Sequence, residues 1–177
     1  MKIYLAGKLD PKNDWRSQIA NTKLDSGTWY STSSVLSTRY KGVTIVGPFT
    51  AFGCDQHCCN PKDTTEHGTV TACLSGNEVQ SKNDVLQKDL LGIRRCDMVF
   101  CWGGFDFETA HGTHVELGMA RALGKYIVLA RSNRANASEQ EARSATWFAE
   151  QTASLVISGR DPVAILDSLV KLKQVAA

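Results

Sequence analysis

Short, continuous apolar runs alternate along the chain with amphipathic stretches. The runs are Lys2–Ala6, Val43–Val46, Met98–Trp102, Tyr126–Ala130 and Leu155–Ile157. They are rich in Val, Ile and Leu, which is the pattern of strands covered on both faces. Helical spacing fills the intervals. Ser81–Arg95 sets Val85, Leu86, Leu90 and Ile93 on one face and ends in two arginines, where the helix dipole favours cations. Thr113–Leu123 places Val115, Met119, Ala122 and Leu123 at helical spacing, with Gly124 as a stop. Ser138–Gln151 opens with Ser138 and Glu141 as a capping box, and Asp161–Lys173 opens on a cap followed by Pro162.

Strand–helix alternation predicts a parallel sheet with right-handed crossovers. The expected fold is a doubly wound α/β domain over residues 1–177, flavodoxin/Rossmann-like, with a five-stranded parallel sheet and helices on both faces. Thr22–Arg39 reads as a Ser/Thr-rich surface excursion. A long loop at 47–77, with Gly, Pro, Cys and His, reads as functional, because loops of that length in a compact domain seldom serve as plain connections. Doubly wound sheets bind ligands past the carboxyl ends of their strands, so the segments that follow each strand hold the candidate chemistry.

Charge and composition narrow the function. The 177 residues carry 20 Lys and Arg against 18 Asp and Glu, a net charge of +2 with no basic cluster. That balance argues against a nucleic acid partner, which calls for a basic stripe. No apolar run approaches the roughly 20 residues of a membrane span, so no membrane partner is expected. The opening MKIYLAG has too few apolar residues for a signal peptide, and a cytoplasmic location is expected. The six cysteines are then expected to be reduced thiols.

Several positions could carry chemistry. Gly7 and Lys8 follow the first strand, and Asp14, Trp15 and Arg16 stand near a helix start. A glycine there allows close approach by a ligand, and a helix start offers N–H groups to an anion; a tight turn with a capped helix fits the same residues. Asp89 falls on the expected core face of its helix, where a carboxylate must be paired or must point into a cavity. Gly112, Thr113 and Glu116 open a helix after the strand ending at Trp102. Glu116 either projects into the crevice or closes a Thr113–Glu116 capping box. Trp102 and Phe105 could stack on a base or pack in the core. Cys54, His57, Cys58, Cys59, His67 and Cys73 contain enough ligands for zinc, but their spacing is no paired C-x-x-C array, and buried thiols with cleft-facing histidines are the preferred reading.

The ordered set resembles the nucleoside 2-deoxyribosyltransferase family and its nucleotide-hydrolase relatives. It comprises Lys2–Gly7, Asp14-Trp15-Arg16, Asp89-Leu90 with Ile93 and Asp97, and Gly112-Thr113 with Glu116-Leu117-Gly118, Ala120, Ala122 and Gly124-Lys125. Gly47-Pro48-Phe49, Cys54-Asp55, His57 and His67-Gly68 resemble its long-loop branch. The resemblance implies that Glu116 is a nucleophile, that Tyr4 hydrogen-bonds near it, and that Asp89 belongs to the same pocket. It also implies a homodimer or higher homo-oligomer with shared active sites, and no metal or organic cofactor. Asp55, His57 and His67 become candidates to contact base or phosphate. One position departs from the family: the long-loop branch has an aspartate near the base where this chain has Thr109, with Asp106 and Glu108 just upstream as possible substitutes.

These residues suit cleavage of an N-glycosidic bond in a nucleoside or nucleoside 5′-monophosphate. A carboxylate traps the anomeric carbon and a second acidic group serves the leaving base, after which the sugar passes to another base or to water. Two rival expectations stand beside it. One is a nucleotide-binding protein without turnover, motivated by Thr109. The other is a zinc-stabilised interaction module built on the 47–77 loop.

Overall fold

The parity of the first strand fixes which side chains reach which layer. In β1 (Lys2–Gly7), Ile3 and Leu5 join one apolar cluster while Tyr4 and Ala6 join another on the opposite face of the sheet. The same alternation runs through β4 (Met98–Gly103), where Met98 and Phe100 oppose Val99 and Cys101. It continues in β5 (Tyr126–Ser132), where Val128 and Ala130 oppose Ile127 and Leu129. All of these residues are buried, as a sheet covered on both faces requires.

The computed structural model describes residues 1–8, 14–19, 36–37, 40–48, 82–104, 107–133 and 139–175. Besides the strands above these include β2 (Leu36–Ser37), β3 (Thr44–Ile45) and β6 (Leu155–Gly159), the helices α1 (Lys82–Arg95), α2 (His111–Ala122), α3 (Glu139–Thr152) and α4 (Pro162–Val175), and 3-10 turns at Trp15–Gln18 and Phe107–Thr109. Among the described residues the sheet runs β2-β3-β1-β4-β5-β6. Five strands are parallel, as the alternation predicts, in the flavodoxin-like order β3-β1-β4-β5-β6; the two-residue β2 adds an antiparallel edge. The order reverses between β1 and β4. The helices α1, α2 and α3 supply residues to the cluster containing Tyr4, whereas α4 and the Trp15–Gln18 turn supply the cluster containing Ile3. No described helix is long and apolar enough to cross a membrane.

Helix ends follow local chemistry. Asp161 Oδ1 accepts from the Val163 N–H at 2.8 Å, the expected cap with proline in the first turn. Gly124 adopts φ +66° just past α2. Lys125 Nζ donates to the carbonyls of Arg94 and Cys96, at 2.7 and 2.9 Å, and so satisfies the C-terminal end of α1. Ser138 of the expected capping box lies outside the described residues.

The apolar faces expected on two helices need correction. Leu86, expected to face the core, is 48% exposed on α1, and Val115 is 57% exposed on α2. Ala122 and Leu123 also face outward. The buried side of α2 is Thr113, Leu117 and Ala120. Val115, Ala122 and Leu123 therefore form an outer stripe, opposite the buried Thr113, Leu117 and Ala120.

A charged side chain lies wholly inside. Arg16 is 0% exposed, and its Nη1 pairs with Asp14 Oδ2 at 2.7 Å. Its Nε donates to the Leu5 carbonyl at 3.0 Å and its Nη2 to the Gly7 carbonyl at 2.6 Å. The Asp14 carboxylate also accepts from the Arg16 N–H at 2.9 Å. This network ties the turn to the carboxyl end of β1. Arg16→Met should therefore cost about 3–5 kcal/mol, because the buried Asp14 carboxylate loses the cation beside it and two carbonyls lose their donor. Urea denaturation measures this; a loss under about 1 kcal/mol would show that the network carries no structural weight.

Candidate active site

Tyr4 points from β1 into the layer of α1 and α2 because its parity places it there. Its hydroxyl donates to Glu116 Oε1 at 2.7 Å, across 112 residues of sequence. Glu116 stands on the second turn of α2, which begins at His111 with Ala110 as its N-cap and no side-chain cap bond. Thr113 is the third helical residue and is buried. The capping-box alternative is thereby corrected: the helix starts two residues earlier than the pattern suggested, which carries Glu116 past the capping position and toward Tyr4. The first turn is held instead by backbone contacts and by His114, whose Nδ1 lies 2.9 Å from the Ala110 carbonyl oxygen while its ring rests on Phe107.

Asp89 approaches the same point from α1. Burial, then the charge of Asp89, pushes the half-buried Glu116 carboxyl up to about 8, against the opposing effects of the Tyr4 hydroxyl and the Arg16 cation. The Tyr4 hydroxyl is held well above its ordinary range by burial and by both carboxylates, so it remains a donor. The Cys101 thiol, on β4 beneath Glu116, is pushed up by burial and by that carboxylate, and stays neutral. At neutral pH the carboxylate pair therefore shares a proton, because both members cannot ionise together so close in a poorly solvated site.

The other candidate residues separate into groups. Asp14 and Arg16 are consumed by the buried network, although the Arg16 charge still reaches Glu116. Trp15 packs in the core with its ring 5.7 Å from Phe100. Gly7, at φ +136°, makes room for the backbone of the neighbouring strand: a Cβ there would stand 3.0 Å from the Trp102 carbonyl oxygen. Trp102 is partly buried against the Ile3 cluster. At the carboxyl edge of the sheet, Lys8 Nζ donates to Thr109 Oγ1 at 3.2 Å and so links the end of β1 to the turn before α2. Glu108 and Gly112 are exposed. Asp55, His57, His67, Phe105 and Asp106 lie outside the described residues, as do Cys54, Cys58, Cys59 and Cys73. Among the described residues no group of three or more His, Cys, Asp or Glu side chains is placed to hold a metal ion. Cys96 and Cys101 are free and buried.

Two glycines to which the sequence reading gave no site role belong to the site: Gly92, which it did not name, and Gly47, which it named only in the long-loop resemblance. Gly47 and Gly92 both lie against the Tyr4 ring. Gly92 left a signal: a glycine inside a helix costs about 1 kcal/mol relative to alanine, so its presence in α1 calls for a packing reason. Gly47 left only a Gly-Pro turn.

The shared proton makes stability depend on pH. The folded Glu116 carboxyl keeps a proton between its ordinary value of 4.5 and about 8, where the unfolded chain has lost it. The folded state therefore loses stability as pH rises through that window and then levels off. Glu116→Gln lacks this titration. It should gain on the parent protein across the window, by roughly 1–3 kcal/mol at pH 8.5 relative to pH 4.5. Thermal melts of both proteins at those pH values test this; a constant difference would mean that Glu116 has an ordinary carboxyl.

No curated protein matches the chain. A solved structure, the Clostridium botulinum CMP N-glycosidase BcmB, is 26% identical over 54% of this chain and 79% of its own, with a TM-score of 0.37. The model of the family described as nucleoside 2-deoxyribosyltransferase matches residues 37–154, a span that includes Asp89 and Glu116. The match covers more than half of the chain, and the protein belongs to the nucleoside 2-deoxyribosyltransferase family.

Proposed function

We propose that the protein cleaves the N-glycosidic bond of a nucleoside or nucleoside 5′-monophosphate through a glycosyl-enzyme on Glu116, and passes the sugar to a second base or to water. The observation that carries this reading is the Tyr4 hydroxyl donated to Glu116 with Asp89 beside it. At rest Glu116 holds the proton; attack requires that it pass to Asp89, and the Tyr4 donor favours the negative charge this leaves on Glu116. The Glu116 carboxylate oxygen attacks the anomeric carbon as the carbon–nitrogen bond breaks. The bonding pair leaves on the base nitrogen, which takes the Asp89 proton. Asp89, now ionised, receives a proton back from the incoming base or water as the ester to Glu116 is displaced.

A second reading, nucleotide binding without turnover, is favoured by one observation. Thr109 stands where the long-loop branch has an aspartate, and it accepts a hydrogen bond from Lys8 instead of offering a carboxylate to a base. The protein is also proposed to act as a homo-oligomer. Leu86 and Leu91 on α1, and Val115 and Leu123 beside α2, expose apolar surface on two neighbouring helices that a second copy would cover.

Glu116→Gln should lower turnover at least about a thousandfold, or roughly 4 kcal/mol, because a carboxamide does not capture the anomeric carbon. Mass spectrometry of the parent protein with a panel of deoxynucleosides and monophosphates should show a sugar adduct that the variant lacks. Asp89→Asn should also lose turnover, but much less on 2-deoxyribosyl compounds whose leaving group needs no proton. Retained turnover in Glu116→Gln would end the mechanism, and binding without turnover in the parent protein would favour the second reading. Light scattering at micromolar concentration should give a mass above that of one chain, and Val115→Lys should reduce it; a monomeric mass throughout would count against shared sites.

A further inference from the structure

We propose that Gly47 is a positioning residue for Glu116: by carrying no side chain it leaves the slot, shared with Gly92, in which the Tyr4 ring is held at the angle that delivers its hydroxyl to the carboxylate. The inference rests on the reading of Glu116 as the reacting carboxylate. Tyr4 is 0% exposed, so its ring has no solvent into which to swing. A Cβ on Gly47 would stand 2.3 Å from Tyr4 Cε2, 2.6 Å from Cδ2 and 3.3 Å from Cζ. A Cβ on Gly92 would stand 3.1 Å from Cδ2 and 3.2 Å from Cε2 of the same ring edge, and 2.0 Å from the Val46 carbonyl oxygen. The Gly47 contacts lie far inside the ordinary spacing of carbon atoms, about 3.5–4.0 Å, whereas Gly92 meets the ring only a few tenths of an ångström too closely and meets the Val46 carbonyl far more severely.

Gly47 cannot retreat to relieve such a contact. Its carbonyl accepts from the Leu5 N–H at 3.0 Å, and the Val46 N–H donates to the Ile3 carbonyl at 2.9 Å. Residues 46 and 47 are therefore bonded to the strand positions on either side of Tyr4. The ring must give way instead. The Tyr4–Glu116 bond is 2.7 Å long, and moving the hydroxyl by about 1 Å takes it out of hydrogen-bonding range. Gly92 follows Asp89 by less than one helical turn, so the slot also registers the helix that brings the second carboxylate. Among the described residues the charged or titratable groups that act on Glu116 are Tyr4 from β1, Asp89 from α1 and Arg16 from the Trp15–Gln18 turn, and the Cys101 thiol of β4 feels its charge. Of these, Tyr4 is the group that a methyl on Gly47 meets.

The test is a double-mutant cycle read at Glu116 by carbon-13 NMR titration of its carboxyl in the ligand-free protein. The four proteins are the parent, Gly47→Ala, Tyr4→Phe and the double variant. Loss of the Tyr4 donor should raise the Glu116 titration midpoint. Gly47→Ala should raise it in the same direction, and should add nothing further in the Tyr4→Phe protein, where the ring remains but the hydroxyl is gone. Each unit of upward shift removes about tenfold of the ionised carboxylate at a given pH below the midpoint. A midpoint unchanged by Gly47→Ala, or two shifts that add, overturns the proposal, because strain at φ +148° would not depend on a hydroxyl. If Gly47→Ala does not fold, Gly47→Ala in a Tyr4→Leu background should fold as Tyr4→Leu does. Failure there overturns the proposal as well, since the glycine would then be required only by its backbone angle. The titration needs no turnover. A cycle as expected in a protein that forms no sugar adduct keeps Gly47 as a positioning residue and removes the glycosidase reading; an adduct with an additive cycle does the reverse.

Discussion

Two carboxylates and one phenol share a partly desolvated pocket, and the supply of protons there is the constraint on which the site depends. Tyr4 has a single hydroxyl hydrogen and gives it to Glu116. Burial and mutual repulsion leave the carboxylates room for one charge at neutral pH. A lone buried carboxylate would simply stay neutral and be a poor nucleophile. A pair can divide the work between one ionised and one protonated member, and on the proposed mechanism the Tyr4 donor stabilises the charge on Glu116 once its proton has passed to Asp89. The positions of Tyr4, α1 and α2 serve that division.

Arg16 supports the pocket from behind. Its guanidinium is spent on Asp14 and on the carbonyls of Leu5 and Gly7, so it has no geometry left for a ligand. Its charge nevertheless acts through the strand and offsets part of the repulsion at Glu116. Full burial makes this long-range effect possible, since a solvated cation would be screened within about 10 Å. The carboxyl end of β1 is thus a rigid strut, and the Tyr4 ring that projects from it inherits that rigidity.

Much of this architecture was legible in the sequence. Strands covered on both faces must be apolar at every position, so β1, β4 and β5 announced themselves as unbroken runs, and the alternating helices then implied parallel order. The facing of α2 was not legible. Its apolar stripe at Val115 and Leu123 reads as a core face, yet the helix buries the face of Thr113, Leu117 and Ala120, which carries a polar residue and a small one and so lacks an apolar signature. The capping pattern at Thr113 and Glu116 misled for a related reason: the helix begins at His111, and two added residues turn a cap into a pocket group. The meeting of Tyr4, Gly47 and Gly92 could not be read at all, because positions so distant in sequence become neighbours only when β1, the end of β3 and α1 pack together.

The departure at residue 109 gains meaning from this geometry. An aspartate in that exposed turn would sit beside Lys8 and could offer a carboxylate at the mouth of the cleft. Thr109 offers a hydroxyl, which cannot protonate a leaving base at neutral pH. On the proposed mechanism Asp89 supplies that acid from inside the pocket. Among the described residues Asp89 is the other carboxylate whose charge acts on Glu116, and its proton is the one that the shared pair already holds. The raised Glu116 carboxyl is therefore what a site needs when it has lost an outer acid and must keep a proton within reach at pH 7. A fully ionised pair would attack well and leave the base without a proton, whereas a fully protonated pair would do the opposite. The singly protonated pair performs both steps, and it persists up to about pH 8 because Asp89 and burial hold the Glu116 carboxyl there.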